Sequence, residues 1–554
     1  MLVPKLFTCM KGYTKEQFIK EIIAGFIVAV IALPLSIALA IASGVSPEKG
    51  LYTAIIGGFI VSFFGGSRVQ IGGPTGAFII IVYGIVQKYG ITGLTVATMM
   101  AGIFLIIMGI FKFGHAIKYI PYPITTGFTS GIAVCIFSTQ IKDLFGLSIQ
   151  TVPAQFIPKW ASYISHASTI NLQATFIGIL SIAIILLWPK INKKVPGTLI
   201  ALIVTTLMTI FFKLNIETIG SRFGNISSKL PTIAVHNINM SMINELILPA
   251  LTIAILAAIE SLLSAVVADG MIGGNHRSNM ELVAEGLANL FSGLFGGIPV
   301  TGAIARTAAN VKNGGRTPIT GIFHAIFLLL IMLLFMPYVK LVPMTSLAAI
   351  LIVVSYNMGD WQVFKRLKKA PKSDAVVFLI AFFLTVLLDL VVAIGIGVVV
   401  ASFLFMKRMA DYAEVKCLVN EEDDEDYMQL INTVEKPDEI SFYEIKGPFF
   451  FAAASKFVGV TKGLKAKQNV LILKMSKVST IDATGYHELE NLYEICKSQN
   501  TELIILKLKK PVLKVLEKYG YTKKLGKKNF CNSIEKAIDR TNYLLSLKTD
   551  EGVA

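Results

Sequence analysis

Charge is scarce in this chain of 554 residues: only 16% of it is Asp, Glu, Lys or Arg, while 54% is hydrophobic. Soluble domains carry about a quarter charged residues, so a water-soluble body is excluded for most of the length. Acidic side chains are rarest before residue 415, where 15 stand against 29 Lys and Arg. The five cysteines, at 9, 135, 417, 496 and 531, have neither paired nor metal-ligand spacing, so no disulfide framework or zinc site is indicated. Six histidines are scattered without nucleophile–base or metal spacing. The chain is therefore not read as an enzyme, and no cofactor or metal is expected.

Long apolar runs fill the first 410 residues, as in 22–43 (IIAGFIVAVIALPLSIALAIAS), 174–188 and 245–268, and mean hydropathy is +0.67. Runs of this length cross ~30 Å of hydrocarbon, and lipid leaves the backbone no partner but its own helix. The first run is too long for a signal peptide core and reads as a retained membrane helix. Fourteen segments are predicted, near 21–43, 50–65, 75–88, 92–111, 119–140, 172–188, 197–213, 245–269, 280–294, 302–312, 318–337, 340–357, 373–389 and 390–408. The net charge of +16 sits almost entirely on this part. Lys and Arg in the N-terminus and the loops after even-numbered segments outnumber those in the other loops more than twofold, with KRLKKAPK (365–372) the strongest anchor. That asymmetry predicts two cytoplasmic termini on a multi-pass cell-membrane protein, and it accounts for the basic pI without nucleic acid.

Two short stretches break this pattern. IGGPTGAF (71–78) and IPVTGAIAR (298–306) start with Gly and Pro inside apolar surroundings, and Thr75-Gly76-Ala77 recurs 226 residues later as Thr301-Gly302-Ala303. Each follows a similar approach, SFFGG and GLFGG. The repeat halves the membrane part into seven plus seven segments of opposite orientation, the pattern of transporters built from inverted repeats. Each break starts a half-helix near mid-membrane. Its first N–H groups are unpaired and its dipole end is positive, so two such ends facing one another form an anion cradle. Thr75 or Thr301 would either cap its own helix or bind the ligand.

Arg306 lies one turn into the second half-helix. A charge there costs several kcal/mol (order of magnitude) unless paired or hydrated, and it favours a negative substrate. Glu260, halfway along the eighth segment, shares a helix face with Ser264. A carboxylate beside hydroxyls binds Na⁺ or carries H⁺, and oxygen ligands permit either. From about residue 415 charge becomes dense, with strand-like 441–447, 469–475 and 501–508 alternating with helix-like 485–498 and 510–520 and a last helix near 533–547. This tail reads as a small α/β domain, and EEDDED (421–426) as a solvated linker or loop.

GLYTAIIGGFIVSFFGGSRVQIGGPTGAF (50–78), PYPITTGFTSGIAV (121–134) and VTGAIARTAANVKNGGRTPITGI (300–322) together resemble the SulP anion permeases of the solute carrier family 26 type. VLILKMSKVSTIDATG (470–485) resembles the STAS domain that follows them. The resemblance implies an all-α polytopic membrane domain of fourteen segments in a 7+7 inverted repeat with UraA-like core and gate, plus a small α/β cytoplasmic STAS domain. It divides the chain into an N-terminus (1–20), a transmembrane transport domain (21–408), an acidic linker (409–436) and a STAS domain (437–548). The core would take about 21–111 and 245–337, the gate about 119–213 and 340–408.

It implies a homodimer and a secondary active transporter of a small anion, of the sulfate, bicarbonate or dicarboxylate class, moved with H⁺ by an elevator-like cycle. A Na⁺-coupled bicarbonate symporter, an uncoupled exchanger or channel, and a membrane sensor signalling through its STAS domain are the alternatives. Substrate binding falls by resemblance on Thr75, Gly76, Ala77, Ala303, Ile304, Ala305 and Arg306, with Leu35 and Leu39 of the first segment lining the site. Cation coupling falls on Glu260, Ser264 and Gly302, with Na⁺ at Glu260 and Ser264 as the variant. Asp482 and Thr484 are regulatory candidates in the STAS-like loop, where a helix cap is the competing reading.

Overall fold

The computed structural model describes residues 2–10, 12–115, 121–153, 155–192, 195–224, 228–233, 240–388, 390–418, 424–451 and 468–551. It divides into two compact units, Met1–Val399 and Val400–Ala554.

The first unit is helical. Its elements are α1 (Lys15–Ala42), α2 (Pro47–Tyr52) continued by a π-turn Thr53–Gly57 into α3 (Gly58–Phe64), β1 (Gly72–Gly73), α4 (Ile79–Ile110), α5 (Tyr122–Phe145), α6 (Phe156–Ser165), α7 (Leu172–Ile191) and α8 (Gly197–Phe211). The second half runs α9 (Met240–Ile272), α10 (Ser278–Leu294), β2 (Thr301–Gly302), α11 (Ile304–Lys312), α12 (Ile319–Val339), α13 (Met344–Met358), α14 (Lys372–Leu387) and α15 (Leu390–Tyr412), which crosses into the second unit. Seven helices among the described residues are long and apolar enough to cross a bilayer. One of the seven, α4, holds two helices that meet at Gly90, whose φ of 67° interrupts them where the predicted third and fourth segments divide. Large apolar side chains such as Ile107, Phe176, Leu186, Leu207 and Leu334 stay exposed on the outer faces, as a hydrocarbon solvent requires.

The helices pack in two groups. In one, α10 and α9 lie against α4, and α12 lies against α1 and α3. In the other, α14 and α13 lie against α5, and α7 lies against α8 and α13. The α4–α10 crossing is close because Gly102 and Gly286 face each other. A Cβ on either would stand 2.6 Å from the other's carbonyl oxygen, the small-residue approach that membrane helices use. Contact between the groups runs mainly through α1 and the short turn Gly76–Phe78.

The second unit is an α/β layer structure. Its five-stranded sheet has order β3 (Glu414–Cys417), β4 (Ile440–Phe449), β5 (Val470–Ile481), β6 (Glu502–Leu506), β7 (Phe530–Cys531), with β3 antiparallel and the rest parallel. Side chains alternate between two apolar layers. Leu471, Leu473, Leu503 and Ile505 face α17 (Ala483–Ser498) and α18 (Lys510–Lys518), counting the preceding Glu425–Thr433 helix as α16. Val470, Ile472, Ile504 and Leu506 face α16 and α19 (Ile534–Glu551).

One expectation is corrected here. The segment 409–436, expected as an acidic linker or loop, contains β3 and α16. Asp424 caps α16 by accepting from the Tyr427 N–H at 3.1 Å. Asp424 and Asp426 both pair with Lys474, each at 2.8 Å, and Asp426 pairs with Lys507 at 2.6 Å. These carboxylates are held against the sheet instead of being left to solvent; 421–423 of the acidic run lie outside the described residues.

Candidate functional site

Both breaks are extended strands before helix starts, and the strands pair with each other. β1 and β2 run antiparallel with Gly72 opposite Gly302 and Gly73 opposite Thr301. A further bond from the Ala303 N–H to the Ile71 carbonyl, 2.9 Å, extends the ladder. Two segments more than 220 residues apart in sequence thus deliver two helix N-termini to one place.

A polar stripe on α10 holds both strands there. Glu281, Glu285, Asn289 and Ser292 recur at helical spacing, and all are fully buried. Glu281 accepts from the Gly66 and Ser67 N–H groups at 2.6 and 2.7 Å, fixing the approach to β1. Asn289 accepts from the Val300 N–H at 2.9 Å and donates to the Val300 carbonyl at 2.8 Å, fixing the approach to β2. Ser292 donates to the Ile298 carbonyl at 2.7 Å. Extended backbone inside a membrane body needs such partners, because an unpaired buried N–H or C=O is expensive. The predicted site did not include this stripe. Its signal was present in SNMELVAEGLANLFSG, where polar residues fall four, four and three apart along an otherwise apolar helix.

Thr75 sits at the start of the turn Gly76–Phe78 without capping it. It donates instead to Glu260 Oε2 across 2.9 Å, joining the first break to α9. Thr301 makes no helix cap either: its hydroxyl and that of Ser261 are 2.7 Å apart, and Ser261 also accepts from the Gly302 N–H at 2.9 Å. Arg306 is buried, 3% exposed. Its Nη2 donates to the Pro74 carbonyl and its Nη1 has no partner. The guanidinium lies against Gly73, where a Cβ would come 2.3 Å from Nη1. Glu260 and Arg306 attract each other across the site without closing into a salt bridge. A half-buried carboxylate, a buried guanidinium with an unused donor and two helix starts therefore converge.

The other candidates divide. Gly76 approaches the second helix group, since a Cβ there would lie 2.6 Å from Ile136 Cδ1. Ala77 is buried behind it, and Ala303, also buried, is the N-cap residue of α11. Ile304 and Ala305 are exposed on the first turn of α11, Ile304 by 39%. Leu39 is buried in the main apolar cluster, with Leu35 packed against it. The hydroxyl that reaches Glu260 is that of Thr75, while Ser264 donates to Thr307 at 3.4 Å. Thr307 in turn accepts from the Ile71 N–H at 3.1 Å, so Ser264 braces the strand ladder. In the second unit Asp482 is the N-cap of α17. It accepts from the Gly485 N–H at 2.8 Å and the Phe451 N–H at 3.0 Å, which is the helix-cap reading. Thr484, the second residue of α17, is exposed.

Comparison with known proteins places these features in context. Residues 18–381 match the model of the sulfate permease family, and residues 432–537 match the STAS domain. The chain is 39% identical over 94% of its length to "Putative sulfate transporter YvdB" of Bacillus subtilis, covering 97% of that protein. It is 30% identical to the bicarbonate transporter BicA of Picosynechococcus, over 94% of both chains. Among solved structures, SLC26A9 superposes with a TM-score of 0.87 at 18% identity, over 99% of this chain and 94% of that one. The transmembrane domain of a cyanobacterial BicA superposes at 0.63 with 29% identity, over 70% of this chain and 98% of that one.

Proposed function

This chain belongs to the sulfate permease family, a family of transporters and not of enzymes, and from that premise we propose that it carries a small oxyanion of the sulfate or bicarbonate class across the membrane. The observation that carries the reading is the β1–β2 pairing, which sets the Thr75–Ala77 and Ala303–Arg306 helix starts beside one buried guanidinium. An anion there gains the N–H groups of two helix ends and the free Nη1 of Arg306.

We assign the coupling cation to Glu260. It stands beside Arg306, so a proton or Na⁺ on the carboxylate removes its competition with the anion for the guanidinium. Thr75 touches Glu260 from the anion side, which gives each ligand a means of sensing the other. Thr75, Gly76, Ala77, Ala303, Ile304, Ala305 and Arg306 form the anion site in this proposal, with Leu35 and Leu39 of α1 backing it and Ser264 and Gly302 supporting the cation site. H⁺ is the favoured cation, with Na⁺ as the alternative.

The two helix groups suggest a core of α1–α4 and α9–α12 moving against a gate of α5–α8 and α13–α15, in an elevator-like cycle. An apolar cleft of about 350 Å³ between α1 (Leu33, Ile37) and α8 (Leu199, Leu202) supports a greasy sliding surface there. On the family resemblance we further assign a homodimer and a regulatory role for Thr484, and on the loop-charge asymmetry a place in the plasma membrane with both termini cytoplasmic.

Purified protein reconstituted in proteoliposomes tests the assignment. Radiolabelled sulfate or bicarbonate uptake should follow an imposed inward proton or Na⁺ gradient and should collapse in Arg306→Ala. Uptake by Arg306→Ala at the wild-type rate would overturn the site. Voltage-driven current with no cation gradient would favour the channel or exchanger reading.

A further inference from the structure

The segment between α13 and α14 gathers positive charge on a fixed platform. Lys365, Arg366, Lys368, Lys369 and Lys372 all lie in 365–372, and all five are exposed. The chain that carries them forms a short helix, Trp361–Arg366, and a turn, Leu367–Lys369. Trp361, Phe364 and Leu367 recur three apart and are half-buried, which leaves the cations on the outer side. Aromatic contacts hold the platform in place. The Trp361 ring stacks on Tyr356 and on Phe364, with centroids 6.0 Å apart in both pairs, and its Nε1 donates to the Tyr356 carbonyl at 2.6 Å. Phe364 meets Phe378 and Phe382 of α14 edge-on, at 5.0 and 5.2 Å.

This charge is unanswered within the protein. Among the described residues none of the five cations pairs with a carboxylate, and Arg366 donates to the neutral Gln362 at 3.2 Å. The two acids beside the platform have other partners. Asp360 accepts from the Tyr122 hydroxyl at 3.0 Å, and Asp374 from that of Ser373 at 3.2 Å. In the acidic run of the tail, Asp424 and Asp426 already have lysines of their own. Five like charges held side by side repel one another, so a surface of this kind attracts anions from outside.

Its position says which anions. Lys372 is the first residue of α14, and Val376, Leu379, Phe383 and Leu387 follow it at steps of four, three, four and four, all on one helix face. These four are 44%, 37%, 52% and 48% exposed, an apolar stripe turned to hydrocarbon. Four residues of helix rise about 6 Å, so Lys372 stands one turn beyond the stripe, at the depth of lipid headgroups. Tyr356 and Trp361 suit the same depth, where amphipathic rings collect. We propose that this platform binds the phosphate groups of acidic phospholipids, the Lys and Arg N–H groups donating to phosphodiester oxygens and the aromatic stack keeping the cations in place. The site is separate from the anion site and stands whether or not that assignment holds.

Trp361 reports on its own surroundings. The full chain with Trp160→Phe and Trp188→Phe keeps it as the one tryptophan of three. This protein is reconstituted in phosphatidylcholine vesicles with a minor share of lipid brominated in its chains, either phosphatidylglycerol or phosphatidylcholine. The brominated phosphatidylglycerol should quench Trp361 more strongly, and its preference should fall roughly fivefold for each of Lys365, Lys368, Lys369 and Lys372 replaced by glutamine. Raising salt from about 0.1 to about 1 M shortens the screening length from about 10 to about 3 Å and should erase the preference without any lysine being changed. Equal quenching by the two lipids at low salt overturns the proposal, as does a preference that survives all four Lys→Gln changes. A preference that appears only after deletion of 421–426 would make the acidic run the occupant of the platform and overturn it too.

Discussion

Replacing Gly73 by alanine should weaken anion binding by acting on Arg306 alone. A Cβ at residue 73 would stand 2.3 Å from Arg306 Nη1, 2.9 Å from Cζ and 3.1 Å from Nη2. Carbon and nitrogen tolerate no approach much under 3.4 Å (about their van der Waals contact), so the guanidinium must move by roughly 1 Å. It is 3% exposed, so the displacement takes place inside the packed body. Moving it breaks its bond to the Pro74 carbonyl and misaims the free Nη1. A hydrogen bond to a charged group contributes about 1.5–3 kcal/mol, equivalent to roughly ten- to hundredfold in affinity. Calorimetric titration of purified protein with sulfate reads this directly. The φ of +154° at Gly73 adds backbone strain to any substitution, so the decisive comparison is a double-mutant cycle. In an Arg306→Ala background the further loss from Gly73→Ala should shrink to within about threefold, a coupling of 1 kcal/mol or more (order of magnitude). Equal losses in both backgrounds would refute the argument, since the glycine would then act on the strand and not on the guanidinium.

Thr75→Val keeps the shape of the side chain but removes the donor to Glu260. With the carboxylate only half-buried the loss is about 1 kcal/mol, so the cation dependence of uptake should shift about fivefold, and an unchanged dependence would exclude Thr75 from coupling. Asn289→Ala strips both partners from Val300 in a fully buried place. It should destabilise the first unit by about 2–4 kcal/mol, read as a lower melting temperature, and wild-type stability would show that the strand does not need the clamp. In the STAS domain, burial pushes the Asp426 carboxyl up, but bonds to Lys474 and Lys507 outweigh it and hold it below the usual carboxylate range. A group depressed in the folded state contributes stability above its unfolded value and loses it as pH falls through the folded one. Amide exchange in α16 should therefore quicken below about pH 4. In Asp426→Asn that acid response should flatten, and an identical response in both proteins would count against the ion pairs.

Much was legible along the chain because the relevant physics is local. The length of the apolar runs, the loop charges and the shift to dense charge near residue 415 identified a membrane body and an α/β tail. Gly and Pro at 72–74 and 297–299 marked two interruptions, and the repeated Thr-Gly-Ala paired them. Partner choice was less legible. The hydroxyl expected beside Glu260 was Ser264, at helical spacing on the same face. The structure gives that place to Thr75, from the opposite half of the molecule, and sends Ser264 to Thr307. The acidic run near 421–426 looked solvated because charge density was its only local feature. The lysines that hold Asp424 and Asp426 come from β5 and from the residue just after β6, about fifty and eighty residues away.

Apolar length and helix breakers act through the nearest few residues, so the sequence alone determined where this chain enters lipid and where its helices stop. Which of many hydroxyls and carboxylates meet depends on strand register and helix crossing. One antiparallel pairing, Gly72 with Gly302 and Gly73 with Thr301, decided that. Only the tertiary structure could supply it, because extended backbone within a membrane body is stable only when another part of the chain completes its hydrogen bonds.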